Sequence, residues 1–185
     1  MKPAGYNEFR TRGRFDFPIE FHHVDCRHPR FHMPYHWHIE YEIVYVLHGG
    51  LTLSLNEDTV QARAGDIIFI RDGIVHGGAP LDQETVYECI VFDMKKLLHG
   101  SQCTGERVSK ILEHELLINK YIPGETHDVP QMIAALFTAM KGAREGYELI
   151  VTGMLYSFIG AVLQHGLCHA PNAALRESSR RRVMQ

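Results

Sequence analysis

The chain of 185 residues has the composition of one ordinary globular domain, with 45% hydrophobic and 22% charged residues. Its formal net charge of −3 excludes the positive surface of a protein that grips nucleic acid directly. The opening segment 1–17 has no apolar signal core, and the four cysteines have no paired spacing. These features predict a cytoplasmic protein with free thiols and no membrane anchor.

The first half of the chain, from about Phe15 to Phe92, has the pattern of short β-strands. Alternating or continuously apolar segments are separated by turn signals rich in Gly, Asn and Asp. Short strands at this spacing are typical of a sandwich or a barrel. The clearest strand segments read IEYEIVYVL, LTLSL, DIIFI and TVYECIVF.

Potential metal ligands are concentrated in the segment PYHWHIEYEIVYVLHGG. Side chains alternate between the faces of a strand, so the even-numbered His36, His38 and Glu42 are expected on one face. His76 follows the next strand and a Gly turn and supplies a third imidazole. This set suits a borderline divalent ion such as Zn, Ni, Fe or Mn. The other histidines of this half are expected to be ordinary surface or core residues: His22, His23, His28, His32 and His48.

The opposite face of the same strand is apolar and needs a cover. Burying each large apolar side chain contributes roughly 1.5 to 3 kcal/mol, so these residues should not face water. The helices predicted after Gly105 are the available cover, which leaves the metal ligands on the interior face. The residues concerned are Trp37, Ile39, Tyr41, Ile43, Tyr45 and Leu47.

The second half, from about Gly105, has a helical period and predicts three helices, ERVSKILEHELL, VPQMIAALFTAMKGA and YELIVTGMLYSFIGAVLQHGL. The apolar stretch of the last helix is shorter than the roughly 20 residues that cross a bilayer, so we expect it to be buried in protein. Heptad-spaced positions form a seam that either packs against its own domain or, as we prefer, forms a dimer contact. The predicted interface residues are Leu149, Gly153, Tyr156, Gly160 and Leu163.

The potential metal ligands and the glycines near them resemble the two sequence motifs of the cupin superfamily. The first motif, G(X)5HXH(X)3-4E(X)6G, is matched by His36, His38, Glu42 and Gly49, but Arg30 stands at its leading glycine. The second motif, G(X)5PXG(X)2H(X)3N, is matched by three residues, with Arg71 and Pro80 at its proline and asparagine positions. The matching residues of the second motif are Gly65, Gly73 and His76. The resemblance implies a double-stranded β-helix barrel with a metal at His36, His38, Glu42 and His76.

The whole chain resembles the amino-terminal region of transcription regulators of the AraC family. The segments YHWHIEYEIVYVLHGGLTL and AGDIIFIRDGIVH carry this likeness. It implies a mainly β fold with α-helices: a cupin-type barrel with an N-terminal arm in 1–100 and a helical dimerisation segment in 101–175. Residues 176–185 are then expected to be a linker toward a DNA-binding domain that this chain does not include.

The function implied by the resemblance is effector sensing by a homodimer. The expected effector is a sugar or a hydroxy acid, in a pocket formed by the four metal-ligand positions and Glu88. DNA would be bound only through the absent domain. Aromatic residues before the barrel are predicted either to cap the effector or to pack at an edge, namely Tyr6, Phe9, Phe15 and Phe17.

The sequence leaves other functions open. The four ligand positions also fit a metal-dependent cupin enzyme of the dioxygenase or isomerase type. A storage or structural cupin is a third possibility, which no feature of the sequence favours. The pocket residues could also hydrogen-bond a sugar with no metal present.

Overall fold

The computed structural model describes residues 6–98 and 105–171. Within them the longer strands precede the helices, as the sequence predicts, and three two-residue strands lie between and after the helices. The strands are β1 (Tyr6–Asn7), β2 (Ile19–Val24), β3 (Met33–Trp37), β4 (Tyr41–His48), β5 (Gly50–Leu55), β6 (Asp58–Arg63), β7 (Ile67–Ile70), β8 (His76–Pro80), β9 (Val86–Phe92), β10 (Leu117–Ile118), β11 (Tyr121–Ile122) and β12 (Cys168–His169). The helices are α1 (Met94–Leu98), α2 (Gly105–Leu112), α3 (Val129–Gly142) and α4 (Tyr147–Gln164).

Two five-stranded sheets make up the β part of the molecule. One has the order β1-β3-β8-β5-β6, and the other has the order β11-β7-β4-β9-β2. Within the described residues no strand is hydrogen-bonded to both sheets. The sheets therefore do not close into the barrel that the sequence predicts.

The two sheets pack face to face over one of two hydrophobic cores. Both sheets contribute alternate residues to it, and the even-numbered positions of β4 point inward. Its fully buried members from the two sheets include Val44, Val46, Leu51, Leu53, Ile68 and Tyr87.

The second core lies between the outer face of the β4-containing sheet and the helices. Tyr41, Ile43 and Tyr45 pack here against α3 and α4, which confirms the predicted cover for this part of the strand. The prediction is wrong for Ile39 and Leu47, which are exposed at 66% and 37%. Ile39 lies in the bend before β4, and Leu47 lies near the end of that strand.

The helix α4 has the length and apolarity of a membrane-spanning helix, with a mean hydropathy of 1.3. Its inner face, however, is buried against the rest of the domain as in a core helix. The fully buried residues of this face are Val151, Phe158 and Val162.

Gly49, at the end of the first cupin-like motif, joins β4 to β5 in a left-handed conformation. Its φ is +70°, and a Cβ at this position would lie 2.9 Å from Thr85 Cα. Any other residue would be strained and would collide with the neighbouring segment. The motif glycine is thus explained by backbone geometry.

Several elements differ from the sequence prediction. The helix α1 and the two-residue strands were not predicted, because elements this short have no readable period. The predicted first helix ends at Leu112 instead of continuing to Leu117, and β10 follows. The proposed linker 176–185 lies outside the described residues, as does Cys103; of the other cysteines, Cys26, Cys89 and Cys168 are free thiols.

Candidate metal centre

The predicted ligands come from three strand segments that meet at one end of the sheets. His36 lies on β3 and pairs with His76 on β8, while Glu42 lies on β4. The chain bends at Ile39 and Glu40, so the expectation of one continuous strand for the first three ligands is wrong. The bend brings His38 back beside Glu42.

The four predicted residues form one buried cluster. One candidate ligand atom from each of them lies within 4.8 Å of the other three. Glu42 Oε2 is 3.2 Å from both His38 Nε2 and His76 Nε2. The exposed fraction of each residue is 3% or less: His36, His38, Glu42 and His76.

Each imidazole is oriented by a backbone carbonyl two residues away. The Nδ1 atoms of His36, His38 and His76 lie 2.8, 3.0 and 2.8 Å from the carbonyl oxygens of neighbouring residues. A carbonyl oxygen only accepts, so each Nδ1 donates its proton and each neutral ring presents an Nε2 lone pair. Backbone acceptors of this kind commonly fix the tautomer of metal-binding histidines.

The cluster fits a cation on the chemistry of its donors. The Nε2 atom of His76 is buried without a hydrogen-bond partner, although Glu42 Oε2 lies nearby. Imidazole lone pairs that face a carboxylate repel it unless a proton or a cation lies between them. Three imidazole nitrogens and one carboxylate are a suitable ligand set for Zn, Ni, Fe or Mn.

Electrostatics also favours the metal-binding protonation states. Burial, and to a smaller extent the neighbouring His76, lowers the pKa of His36 to about 4. Burial alone would raise the pKa of Glu42, but the adjacent imidazoles of His38 and His76 outweigh it when one of them carries a proton towards the carboxylate, and they hold the pKa well below its usual value. Near neutral pH His36 is therefore uncharged and Glu42 is ionised, as metal ligands must be.

The turn before β8 ties the two halves of the site together. Gly73 has a φ of +68°, a conformation that glycine adopts without strain. Its N–H donates to the carbonyl oxygen of His38 at 2.8 Å. Through this bond the loop that carries His76 is anchored to the bend that carries His38.

A small cavity of about 20 Å³ adjoins the cluster between the sheets. His22 and His28, which the sequence suggested were ordinary surface or core residues, belong to its lining, as do Glu8 and Arg30. Their place in the cavity lining depends on contacts between distant segments, which the sequence does not predict. Arg30 alone has a feature that could have singled it out, because it stands where the first cupin motif has a glycine. The lining residues are Glu8, His22, Val24, His28, Arg30, Met33, His36, Glu42, Tyr87, Cys89 and Val91.

Glu88 does not belong to this pocket, so its predicted role there is corrected. It is paired with Tyr45 and His23, on the sheet face that is turned to the helices. Its Oε1 lies 2.7 Å from His23 Nδ1 and 3.0 Å from Lys141 Nζ. The next residue, Cys89, points into the cavity instead, and burial raises the pKa of its thiol well above the usual value.

The aromatic residues of the N-terminal arm have different positions. Tyr6 stacks on His36 with a centroid distance of 5.8 Å, whereas Phe9 and Phe15 are exposed at 86% and 90%. Phe17 is buried in the helix-side core. One of the four aromatic residues therefore lies against the metal-ligand cluster.

The predicted seam on α4 is divided between two faces. Leu149, Gly153 and Gly160 are exposed, whereas Leu163 is half-buried and packs against the helix-side core. Tyr156 is also turned inward, and its hydroxyl donates to Leu98 O at 3.1 Å. The exposed residues alone are available to a second copy.

These features define a cupin-type ligand-binding domain, and a family comparison agrees. The family model described as AraC-like ligand binding domain matches residues 19–159, which is most of the chain. The chain therefore belongs to this family, as its sequence resemblance indicates. No curated protein matches it.

Two of the solved structures similar to this chain are described as cupins. A cupin-2 domain protein from Shewanella frigidimarina is 18% identical, with a TM-score of 0.34, over 44% of this chain and 74% of its own. An RmlC-like cupin from Methanocaldococcus jannaschii is 15% identical, with a TM-score of 0.36, over 44% of this chain and 76% of its own.

A third similar structure is an oxalate decarboxylase from Bacillus subtilis with Mn(II) centres. It is 22% identical, with a TM-score of 0.30, over 32% of this chain. This chain covers 17% of the length of that enzyme. TM-scores this low add nothing to the assignment of function.

Proposed function

We propose that this chain is the effector-sensing and dimerisation domain of a cytoplasmic AraC-type transcription regulator, with a metal-assisted pocket. The observation that carries the proposal is the family match over residues 19–159 together with the buried metal-ligand cluster inside that range. Effector binding would favour one arrangement of the domain and thereby shift its population. DNA would be bound by a separate region, outside this chain.

The residues of the site would have different roles in binding an effector. His36, His38, Glu42 and His76 would hold the ion, and their backbone carbonyl partners keep the imidazoles oriented. A bound divalent ion would act as a Lewis acid for the oxygen atoms of a sugar or hydroxy acid. The packed sheets around the cluster exclude bulk water, which strengthens polar contacts to the effector.

The metal proposal is tested by elemental analysis combined with native mass spectrometry, on protein purified without chelator or affinity metal. We expect about one transition-metal ion per chain in the wild type, and loss of most of it in His38→Ala. His48→Ala is the matched control, since this histidine is exposed and its ring contacts Glu84 O. Wild-type metal content in His38→Ala would show that the cluster is not the binding site.

The cluster also supports a second candidate, a metal-dependent cupin enzyme of the dioxygenase or isomerase type. Four protein ligands leave coordination positions for a substrate, and this observation favours an enzyme as much as a sensor. Metal-loaded protein should be incubated with hydroxy acids and sugars while O₂ uptake and product formation are followed. Binding without turnover supports the sensor, and metal-dependent turnover that His38→Ala abolishes supports the enzyme.

A further inference from the structure

A carboxylate of the protein itself lies beside the metal-ligand cluster. Glu8 follows β1 and is 8% exposed, and its N–H donates to Trp37 O at 2.9 Å. Its Oε2 atom lies 3.8 Å from His36 Nε2. The N-terminal arm thus places an ionisable group next to a proposed metal ligand.

Two arginines hold the two oxygens of this carboxylate. Arg12 donates to Oε2 at 2.8 Å, and Arg30 donates to Oε1. Arg12 is also bonded to Glu20 on β2 at 2.9 Å. Guanidinium groups prefer carboxylates because their donors match the two carboxylate oxygens in charge and geometry.

Arg30 belongs to the body of the domain and not to the arm. The Tyr87 hydroxyl donates to Arg30 O at 2.9 Å, and the Arg30 N–H donates to His28 Nδ1 at 3.1 Å. Tyr87 is fully buried on β9. The backbone of Arg30 is therefore held by contacts that do not involve the arm.

The arm is held mainly by polar contacts, which include ion pairs of Arg10 and Arg12 with Glu20. The strand β1 has two residues, paired in parallel with β3 at His36 and Trp37. Tyr6 is 49% exposed and Phe9 is 86% exposed, so the start of the arm around Glu8 buries little apolar surface. Segments of this kind open at a small fraction of the free energy of global unfolding.

With the arm in place, the cavity is too small for an organic effector. Its volume of about 20 Å³ holds roughly one water molecule. Glu8 forms part of the lining, between Arg30 and the cluster. A larger ligand must therefore move Glu8 and leave the Arg30 guanidinium without this partner.

We infer that Arg30 and the adjoining cluster form a carboxylate-binding subsite, which Glu8 fills in this structure and which the carboxylate of an effector fills after displacing Glu8. The inference rests on the proposed sensing function. It narrows the effector class to carboxylate-bearing compounds, such as hydroxy acids, in preference to neutral sugars.

The first test replaces the Glu8 side chain with a free carboxylate in the full chain. Glu8→Ala removes the carboxymethyl group, which acetate matches in size and charge, and acetamide is the neutral isostere. By titration calorimetry we expect acetate to bind Glu8→Ala at least tenfold more tightly than it binds wild type, with no such gain for acetamide. Equal gains for both compounds, or no gain for acetate, would overturn the inference.

Two further variants make this test specific. Arg30→Ala combined with Glu8→Ala should cancel the gain, and retained acetate binding would show that Arg30 does not form the subsite. Asp16→Asn is the matched control and should behave as wild type, since this exposed arm carboxylate pairs with Arg14 away from the cavity. If circular dichroism shows that Glu8→Ala is unfolded, Glu8→Gln takes its place. This variant loses the negative charge that pairs with Arg30, so acetate should bind it more tightly than it binds wild type.

The second test separates this inference from the proposed function. L-malate and glycerol are titrated into the wild-type and Glu8→Ala chains, each loaded with Mn²⁺. Malate should gain at least tenfold in affinity from Glu8→Ala, and glycerol should not. If glycerol binds as tightly as malate and its affinity rises equally in Glu8→Ala, the carboxylate subsite is contradicted, but the proposed effector-sensing function is not. If neither binds and the chain takes up no metal, the proposed function itself fails.

Discussion

The imidazole of His36 makes the stability of the metal-free domain depend on pH. Burial, and then His76, lowers its pKa from 6.5 to about 4. Between these two values the unfolded chain binds more protons than the folded chain, so stability falls as the pH is lowered through this window. The contribution of His36 is fully present above pH 6.5, and its loss by pH 4 is on the order of 3 kcal/mol.

This dependence is measured by urea unfolding of metal-free protein at several pH values between 7 and 4.5. We expect a smaller loss of stability on acidification for His36→Gln than for wild type. His48→Gln, which changes an exposed histidine, should follow the wild-type curve. Identical curves for wild type and His36→Gln would mean that burial of His36 does not shift its proton equilibrium.

The four residues of the metal-ligand cluster could be predicted from the sequence, whereas the charged side chains beside the cluster could not. The ligands follow a short motif whose spacing is set by strands and a turn. Glu8 and Arg30 are 22 positions apart, and the sequence has no period that brings them together. Their contact depends on where the arm crosses β3, which is a tertiary property.

The helix α4 presents an outer face that we propose as the dimer contact. Leu149 is 80% exposed on this face, and Gly153 and Gly160 allow close approach of a second helix. A charge at Leu149 would be buried in such an interface without a partner, which is costly. Leu149→Lys should therefore convert a dimer to a monomer and change the stability of the monomer by less than about 0.5 kcal/mol.

The masses of wild type and Leu149→Lys, measured by sedimentation velocity at micromolar concentration, test whether this substitution converts a dimer to a monomer. Tyr156→Phe is a suitable control, because it removes the hydrogen bond to Leu98 O inside the domain and leaves the outer face unchanged. It should lower the unfolding free energy by about 1 kcal/mol and preserve the dimer. A dimer mass for Leu149→Lys would place the contact elsewhere.

Long, apolar segments of the sequence indicate their strands or helices correctly, whereas the orientation of a strand depends on its tertiary pairing. The strands β4, β5, β7 and β9 follow from their residues. The segment TVYECIVF is apolar on both sides, however, so its pattern could not decide which face points inward. Glu88 pairs with Tyr45, whose side chain faces the helices, and this pairing places Glu88 on the same face of the sheet. The sequence does not show the pairing, and for this reason it wrongly suggests that Glu88 lines the pocket.

For the whole molecule, the shared sheet predicts that the β part and the helices unfold together. The sheet containing β4 is buried on both faces, by the other sheet and by the helices. Loss of either layer would expose a large apolar surface. Trp37, the single tryptophan, lies half-buried on β3, so its fluorescence reports on the β part separately from the helical signal at 222 nm.

We therefore expect the two signals to give coincident transitions in urea, with the same midpoint and slope. A separate, earlier loss of helix signal would show that the helices form an independent unit, as the division into 1–100 and 101–175 suggests. The order of strands and helices could be predicted from periodicity. The sharing of one sheet by two cores could not be, because it depends on how the layers stack.

The double burial of β4 also places the metal-ligand cluster close to the helix layer. Glu42 faces the metal-ligand cluster, while the adjacent Tyr41 faces the helices. The Tyr41 ring lies 5.8 Å from that of Phe69, which stacks on Phe158 of α4 at 5.9 Å. A single strand thus separates the metal-ligand cluster from the helix layer, and a displacement of β4 would be passed through these two ring contacts to the inner face of α4.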